Sequence, residues 1–260
     1  VGSFVRGDKL PQMADTDELF RLLAKESHRA RLSALVLNEK GLERALEAGV
    51  PLICMGVSAS ETHSRKNTGM GTEEATGRII ATALEARMAG RKVQVSVQSA
   101  FGCGFEGAIG EARVLAIVAA YLEAGFTSIS LADTAGHAHP AQVRRYVQKV
   151  LELDPAAEVI AHLHDTYGLG MANVYAALEA GARSLETSFG GLGGCPFTRV
   201  AAGNVATEDL VHGLQRAGQR TDIDLAALIG VAKDVARHLG RDLPGRVYKT
   251  GPIQAMGPVQ

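Results

Sequence analysis

The chain has 260 residues, 46% of them hydrophobic, with 27 basic against 28 acidic side chains and a formal net charge of −1. That length is close to the roughly 250 residues of a single (β/α)8 barrel and allows a substantial core, while the balanced charge removes any electrostatic case for nucleic acid or an anionic membrane. No apolar run approaches a membrane span of about 20 residues, the start lacks a basic-then-apolar signal pattern, and three widely spaced cysteines point to a reducing compartment rather than a disulfide scaffold. A single enzyme-sized domain over 1–260 is expected, cytoplasmic, or in the mitochondrial matrix of a eukaryote, with no nucleic-acid or membrane partner.

In chain order, 1–5 reads as the tail end of a strand. Helices are predicted over 15–26, 39–48, 72–89, 110–124, 139–152, 170–180, 207–217 and 224–239. Between them lie short apolar runs at 32–37, 51–57, 93–98, 127–131, 159–162 and 182–188, the pattern of buried parallel strands in βα units. A recurring phrase punctuates the change from helix to strand: Leu46-Glu47-Ala48-Gly49, Leu122-Glu123-Ala124-Gly125 and Leu178-Glu179-Ala180-Gly181, with Met88-Ala89-Gly90 a looser fourth case. Each glycine stands where a left-handed C-cap is wanted. The segment 241–260, rich in Pro and Gly, is expected to be irregular and without catalytic content.

The most informative stretch is His162-Leu163-His164-Asp165-Thr166-Tyr167-Gly168, followed by Gly190-Gly191-Leu192-Gly193-Gly194-Cys195 and Asn204. Side chains alternate along a strand, so His162 and His164 point to one side at its end. Two imidazoles can chelate one divalent ion, and an Asn carbonyl oxygen adds a harder ligand suited to magnesium or manganese. Two satisfied surface histidines would give the same pattern, and an isolated His-x-His motif is weak; the Gly-rich loop bearing Cys195 is what turns the reading toward a site.

These residues resemble the hydroxymethylglutaryl-CoA lyase family. The resemblance covers essentially the whole chain, including Ser3-Phe4-Val5, Arg65-Lys66-Asn67, Gly102-Cys103-Gly104-Phe105-Glu106-Gly107, Ser130-Leu131-Ala132-Asp133-Thr134, Gly191-Leu192-Gly193-Gly194-Cys195-Pro196 and Ala202-Gly203-Asn204-Val205-Ala206-Thr207-Glu208-Asp209. It implies an α/β fold, a (β/α)8 TIM barrel, and a divalent-metal-dependent carbon–carbon lyase that cleaves 3-hydroxy-3-methylglutaryl-CoA to acetyl-CoA and acetoacetate. It further implies an acyl-CoA thioester as substrate and a homo-oligomer, a dimer, as the assembly. His162, His164 and Asn204 would be ligands to Mg2+ or Mn2+, Cys195 the catalytic thiol on a mobile loop, and Asp133 an active-site acid. Asn67, Ser130 and Thr134 match positions lining the acyl-CoA site. Lysis or condensation of a related hydroxyacyl-CoA, or acyl-CoA binding by a degenerate barrel without turnover, are the alternatives.

The chemistry asks for such a set. Cleaving a β-hydroxyacyl thioester requires a cation to bind the substrate oxygens, His162 or Asp133 to move the hydroxyl proton, and a loop thiol to protonate the enolate with water excluded. Simpler roles are also open. Asp133 could cap its turn and Asn204 stabilise one, Glu208 could complement a helix N-terminus, and Cys54 reads as core packing, with Cys103 undecided. The remaining histidines are expected in surface or packing roles.

The family's Arg-Asp pair at the end of strand one, where the Asp is a fourth metal ligand, has no counterpart here. Six full strands plus the 1–5 stub make seven, whereas a closed barrel needs eight. The expectation is a barrel missing its first βα unit and most of strand two, with an unpaired edge at 182–188. Such a chain alone is expected to be poorly soluble, to bind metal weakly and to lack lyase activity until at least about 30 residues are restored.

Overall fold

The structure, a computed structural model, describes residues 1–253 except 6, 9 and 195–202. Seven parallel strands form one sheet in sequence order. The chain runs β1 (Gly2–Phe4), α1 (Thr16–Leu23), β2 (Ser33–Val36), α2 (Glu39–Glu47), β3 (Leu52–Ser58), α3 (Glu61–Thr68), α4 (Thr72–Met88), β4 (Lys92–Gln98), α5 (Glu111–Glu123), β5 (Ser128–Ala132), α6 (Pro140–Leu153), β6 (Glu158–His162), α7 (Gly170–Glu179), β7 (Ser184–Glu186), α8 (Thr207–Arg216), α9 (Leu225–Leu239) and α10 (Val247–Thr250). Gln94 of β4 and Ser130 of β5 both hydrogen-bond Glu186 of β7. Strands three and two places apart in the sheet meet through these side chains, so the sheet curls into an incomplete barrel with β1 and β7 at its edges.

The elements follow from local sequence. At the end of α5, Gly125 adopts φ 80°, its N–H bonding Leu122 O while Phe126 N–H reaches Tyr121 O, both at 2.9 Å. The paired bonds are those of a Schellman cap, and the chain turns at once into β5. The same pairing ends α2 at Gly49, α4 at Gly90 and α7 at Gly181, so the repeated phrase marks a repeated cap. Two helices escaped the sequence pattern, α3 and the short α10. The segment forming α3 is polar and buries only His63 and Ser64, so no apolar stripe marks it. Its ends do the work instead: Ser60 accepts from His63 N–H at 3.1 Å and Gly69 caps with φ 80°.

Between strands and helices lies one continuous core that includes Phe4, Ile53, Val95, Ile129, Tyr146 and Val174. A smaller cluster joins Val211 of α8, Leu225 and Ile229 of α9, and Leu243, Val247 and Tyr248 of the tail. The tail is therefore not wholly irregular: it contains α10, and Leu243 is only 1% exposed. Among the described residues no helix is long and apolar enough to cross a membrane.

Candidate functional site

The concave face of the sheet opens into a cavity of about 410 Å³, whose wall includes Ser96, Thr134, His162, His164, Glu186 and Asn204. Such a mouth, at the carboxyl ends of parallel strands, is where side chains from successive βα units converge.

β6 ends at His162, and His164 follows on the same side. Their Nε2 atoms are 3.2 Å apart. Backbone bonds clamp this segment to the one bearing Asn204: Asp165 N–H to Gly203 O and Val205 N–H to Leu163 O, each 3.1 Å, form a short antiparallel bridge between His164 and Asn204. The Asn204 amide donates through Nδ2 to Leu192 O at 2.8 Å. That bond fixes the amide's orientation, and it leaves Oδ1 buried with no hydrogen-bond partner among the described residues. A buried orphan acceptor is costly unless something meets it.

Desolvation, together with the adjacent His162, pushes the pKa of His164 down to about 4. It is therefore a neutral imidazole, the form that ligates metals. Two nitrogens each about 2.1 Å from a common ion would be about 3.0 Å apart at a right angle and about 3.4 Å apart in a tetrahedron; the observed spacing lies between. The donor set of two imidazoles and one amide oxygen fits a divalent cation. Among the described residues no group of three or more His, Cys, Asp or Glu forms a metal cage.

Asp133 is fully buried, and its N–H bonds His162 O at 2.8 Å. Its carboxylate accepts from His137 N–H at 2.8 Å and Ala138 N–H at 3.1 Å, the turn-capping arrangement that Asp-Thr also suggests. Burial raises its pKa to about 6 against the pull of those amides. Thr134 lines the cavity and accepts from Ser99 N–H at 2.8 Å, while Asn67 projects from α3 to the same wall. Ser130 is buried at its base and donates to Glu186 at 3.3 Å. Cys195 lies outside the described residues; Gly193 and Gly194, just before it, line the cavity.

Three assignments change. Cys54 is not core packing: it lines the cavity, half-buried, its thiol pushed up to about 11 chiefly by desolvation. A thiol so raised is a poor nucleophile. Glu208 does more than complement α8, because it is fully buried and accepts from Gly190 N–H with both oxygens. Cys103 resolves as a core residue, 1% exposed.

Sequence reasoning missed Glu186 altogether. It pairs in register with His162 across β6 and β7, and its Oε2 is 2.7 Å from His162 Nδ1. Burial pushes this carboxyl up, but hydrogen bonds from His162, Gln94 and Ser130 outweigh it and hold the pKa below the usual carboxylate range. Polar side chains alternating along the strands, Gln94, Ser96 and Gln98 in β4 and Glu186 in β7, were the available signal.

Fold and site together define a curled parallel α/β sheet, an incomplete barrel, with two imidazoles meeting at the strand ends. The HMGL-like family model matches residues 9–235, and the chain belongs to that family, as an HMG-CoA lyase-like carbon–carbon lyase acting on acyl-CoA. It is 39% identical to the (R)-citramalyl-CoA lyase of Chloroflexus aurantiacus, over 97% of this chain and 83% of that protein. It is 35% identical to the hydroxymethylglutaryl-CoA lyase YngG of Bacillus subtilis, over 95% of this chain and 82% of that one. Among solved structures, an HMG-CoA lyase from Acenitobacter baumannii in complex with coenzyme A and 3-methylmalate superposes with a TM-score of 0.92 at 38% identity, covering 100% of this chain and 84% of that chain.

Proposed function

We propose that this lyase cleaves 3-hydroxy-3-methylglutaryl-CoA to acetyl-CoA and acetoacetate. The observation that carries the reading is the convergence of His162, His164 and the unpartnered Asn204 Oδ1 on one cavity wall. Those three atoms would hold Mg2+ or Mn2+, which when bound supplies charge to polarise the substrate's oxygens and lower its hydroxyl pKa. His162 Nδ1 is held by Glu186 while its Nε2 faces His164, so we assign it to ligation. Asp133 lies off the cavity wall with both oxygens accepting backbone N–H groups, so the hydroxyl proton, made acidic by the cation, is given to water in the cavity. As that proton leaves, the C3–O bond becomes a carbonyl and the C2–C3 bond breaks, its electron pair remaining on C2 as a thioester enolate. Cys195 then delivers a proton to C2, producing the methyl group of acetyl-CoA. Asn67, Ser130 and Thr134 face the acyl-CoA.

A second substrate is favoured by one observation, the 39% identity to a citramalyl-CoA lyase. Citramalyl-CoA differs by one methylene between the carbinol carbon and the carboxylate, and the same bond cleavage would give acetyl-CoA and pyruvate. A pocket discriminates a single methylene by only about 10–200-fold, so both thioesters should be assayed with Mg2+ and with Mn2+. Acetoacetate formed at the higher kcat/KM supports the first reading; pyruvate formed at the higher kcat/KM replaces it with the second; neither product in either metal removes both.

A further inference from the structure

We propose that Glu186 is a positioning residue for the imidazole pair: it dictates which nitrogen of His162 is bare, and Gln94 and Ser130 hold it in place to do so. The inference rests on the cation reading given above, and it begins from hydrogen-bond inventory. An ionised carboxylate can only accept, so the proton in its 2.7 Å contact with His162 belongs to Nδ1. The neutral form of an imidazole, the form that ligates a cation, carries one N–H, so with Nδ1–H directed at Glu186 the lone pair of that form is on Nε2. That is the atom facing His164 Nε2 at 3.2 Å.

The placement of Glu186 explains why the effect is firm. β7 is a short edge strand paired only with β6 in the described sheet, a poor platform for a precise contact. Three neighbouring strands compensate. Gln94 Nε2 of β4 donates to Oε1, Ser130 Oγ of β5 donates to Oε2, and His162 of β6 donates to the same Oε2. The carboxylate thus spans half the sheet and fixes both the ring's rotation and its tautomer. Without it, His162 could rotate or carry its proton on Nε2, and either change removes a donor atom. Outer partners of this kind typically alter metal affinity or activity by about 10–100-fold.

The test uses the full chain, wild type and with Glu186→Gln or Glu186→Ala, titrated with Mn2+ alone and followed by electron paramagnetic resonance of free Mn2+. Nitrogen-15 spectra of the metal-free wild type report the His162 tautomer, and thermal melting checks folding. The expected results are an Nδ1–H tautomer in wild type and Mn2+ affinity about 10–100-fold weaker in E186A. E186Q, which keeps one acceptor oxygen, should lose less. Mn2+ affinity unchanged in both variants, or a wild-type His162 protonated on Nε2, overturns the role of Glu186 while leaving the cation reading intact. Wild type that holds no Mn2+ overturns the cation reading and this proposal with it. Should E186A not fold, E186Q and the wild-type tautomer still decide the matter.

Discussion

Glu208 Oε1 and Oε2 both accept from the single N–H of Gly190, at 2.9 and 3.0 Å. The contact ties the start of α8 to the root of the Gly-rich loop, eighteen residues back. Desolvation raises the Glu208 pKa above the usual carboxylate range, opposed by the Gly190 N–H. An acid whose folded pKa is raised favours the folded state most when protonated. Its contribution is complete below the unfolded pKa and is lost as pH rises through the folded one. Melting temperatures of wild type and Glu208→Gln should therefore converge or cross as pH rises through that window, wild type losing stability relative to the variant. A pH-independent difference would show that Glu208 titrates as an ordinary exposed carboxyl.

The tail reaches the same loop root. Leu243 is 1% exposed, and a Cβ added at Gly190, φ 65°, would lie 2.2 Å from its Cδ1. Gly245 N–H donates to Gly190 O at 2.8 Å. Leu243→Ala is expected to cost about 2–5 kcal/mol as a cavity in the smaller cluster, and to lower kcat by loosening the loop. By contrast, Arg246 meets Asp165 at 3.4 Å while 69% exposed, a pair worth about 0–1 kcal/mol, so Arg246→Ala should melt close to wild type. Urea unfolding of the two variants checks the ranking, and equal losses would refute it.

How far the molecule was legible in its sequence depends on what each element is made of. The strands and most helices bury apolar faces with a clear period, and the Leu-Glu-Ala-Gly phrase marked caps that the backbone adopts at Gly49, Gly125 and Gly181. Strand alternation put His162 and His164 on one side, and the Gly-rich loop bearing Cys195 turned that pattern toward a site. Asn204 was a candidate ligand in the sequence, and what the sequence lacked was the bridge that sets it beside His164 across forty residues. Glu186 and Gln94 were invisible because a polar residue in a short strand looks the same whether it meets water or the partner strand opposite. The polar α3 lacked the stripe that periodicity detects. Cys54 was misassigned because a small residue in an apolar strand reads as core, whereas this strand faces the cavity with that position.

Asn204 provides a direct test of the cation site. Asn204→Ala removes the orphan Oδ1 together with the 2.8 Å bond to Leu192 O. It is expected to weaken Mn2+ binding and lower lyase turnover in step, with activity partly recovered at high metal. Chelation of wild type should abolish turnover, and added Mg2+ or Mn2+ should restore it. Calorimetric titration with Mn2+ alongside the activity assay separates the effects. An N204A protein with wild-type metal affinity would take Asn204 out of the ligand set.

The thiol of Cys195 sits in the sequence between Gly194 and Pro196, immediately after two glycines that line the cavity. Cys54, which lines that cavity, has its thiol raised to about 11 by burial. If Cys195 delivers the proton to the enolate, Cys195→Ser should lower kcat by about 10²–10⁴-fold while leaving KM within a few-fold, because the loss falls on a group used in the transition state rather than on uniform binding. The same assay with Cys54→Ser should show a much smaller effect on kcat. Solvent-deuterium incorporation into the acetyl-CoA methyl gives a second measure, slowed in C195S and little changed in C54S. Near-wild-type turnover by C195S, or a C54S defect of equal size, would assign the proton donor to another residue.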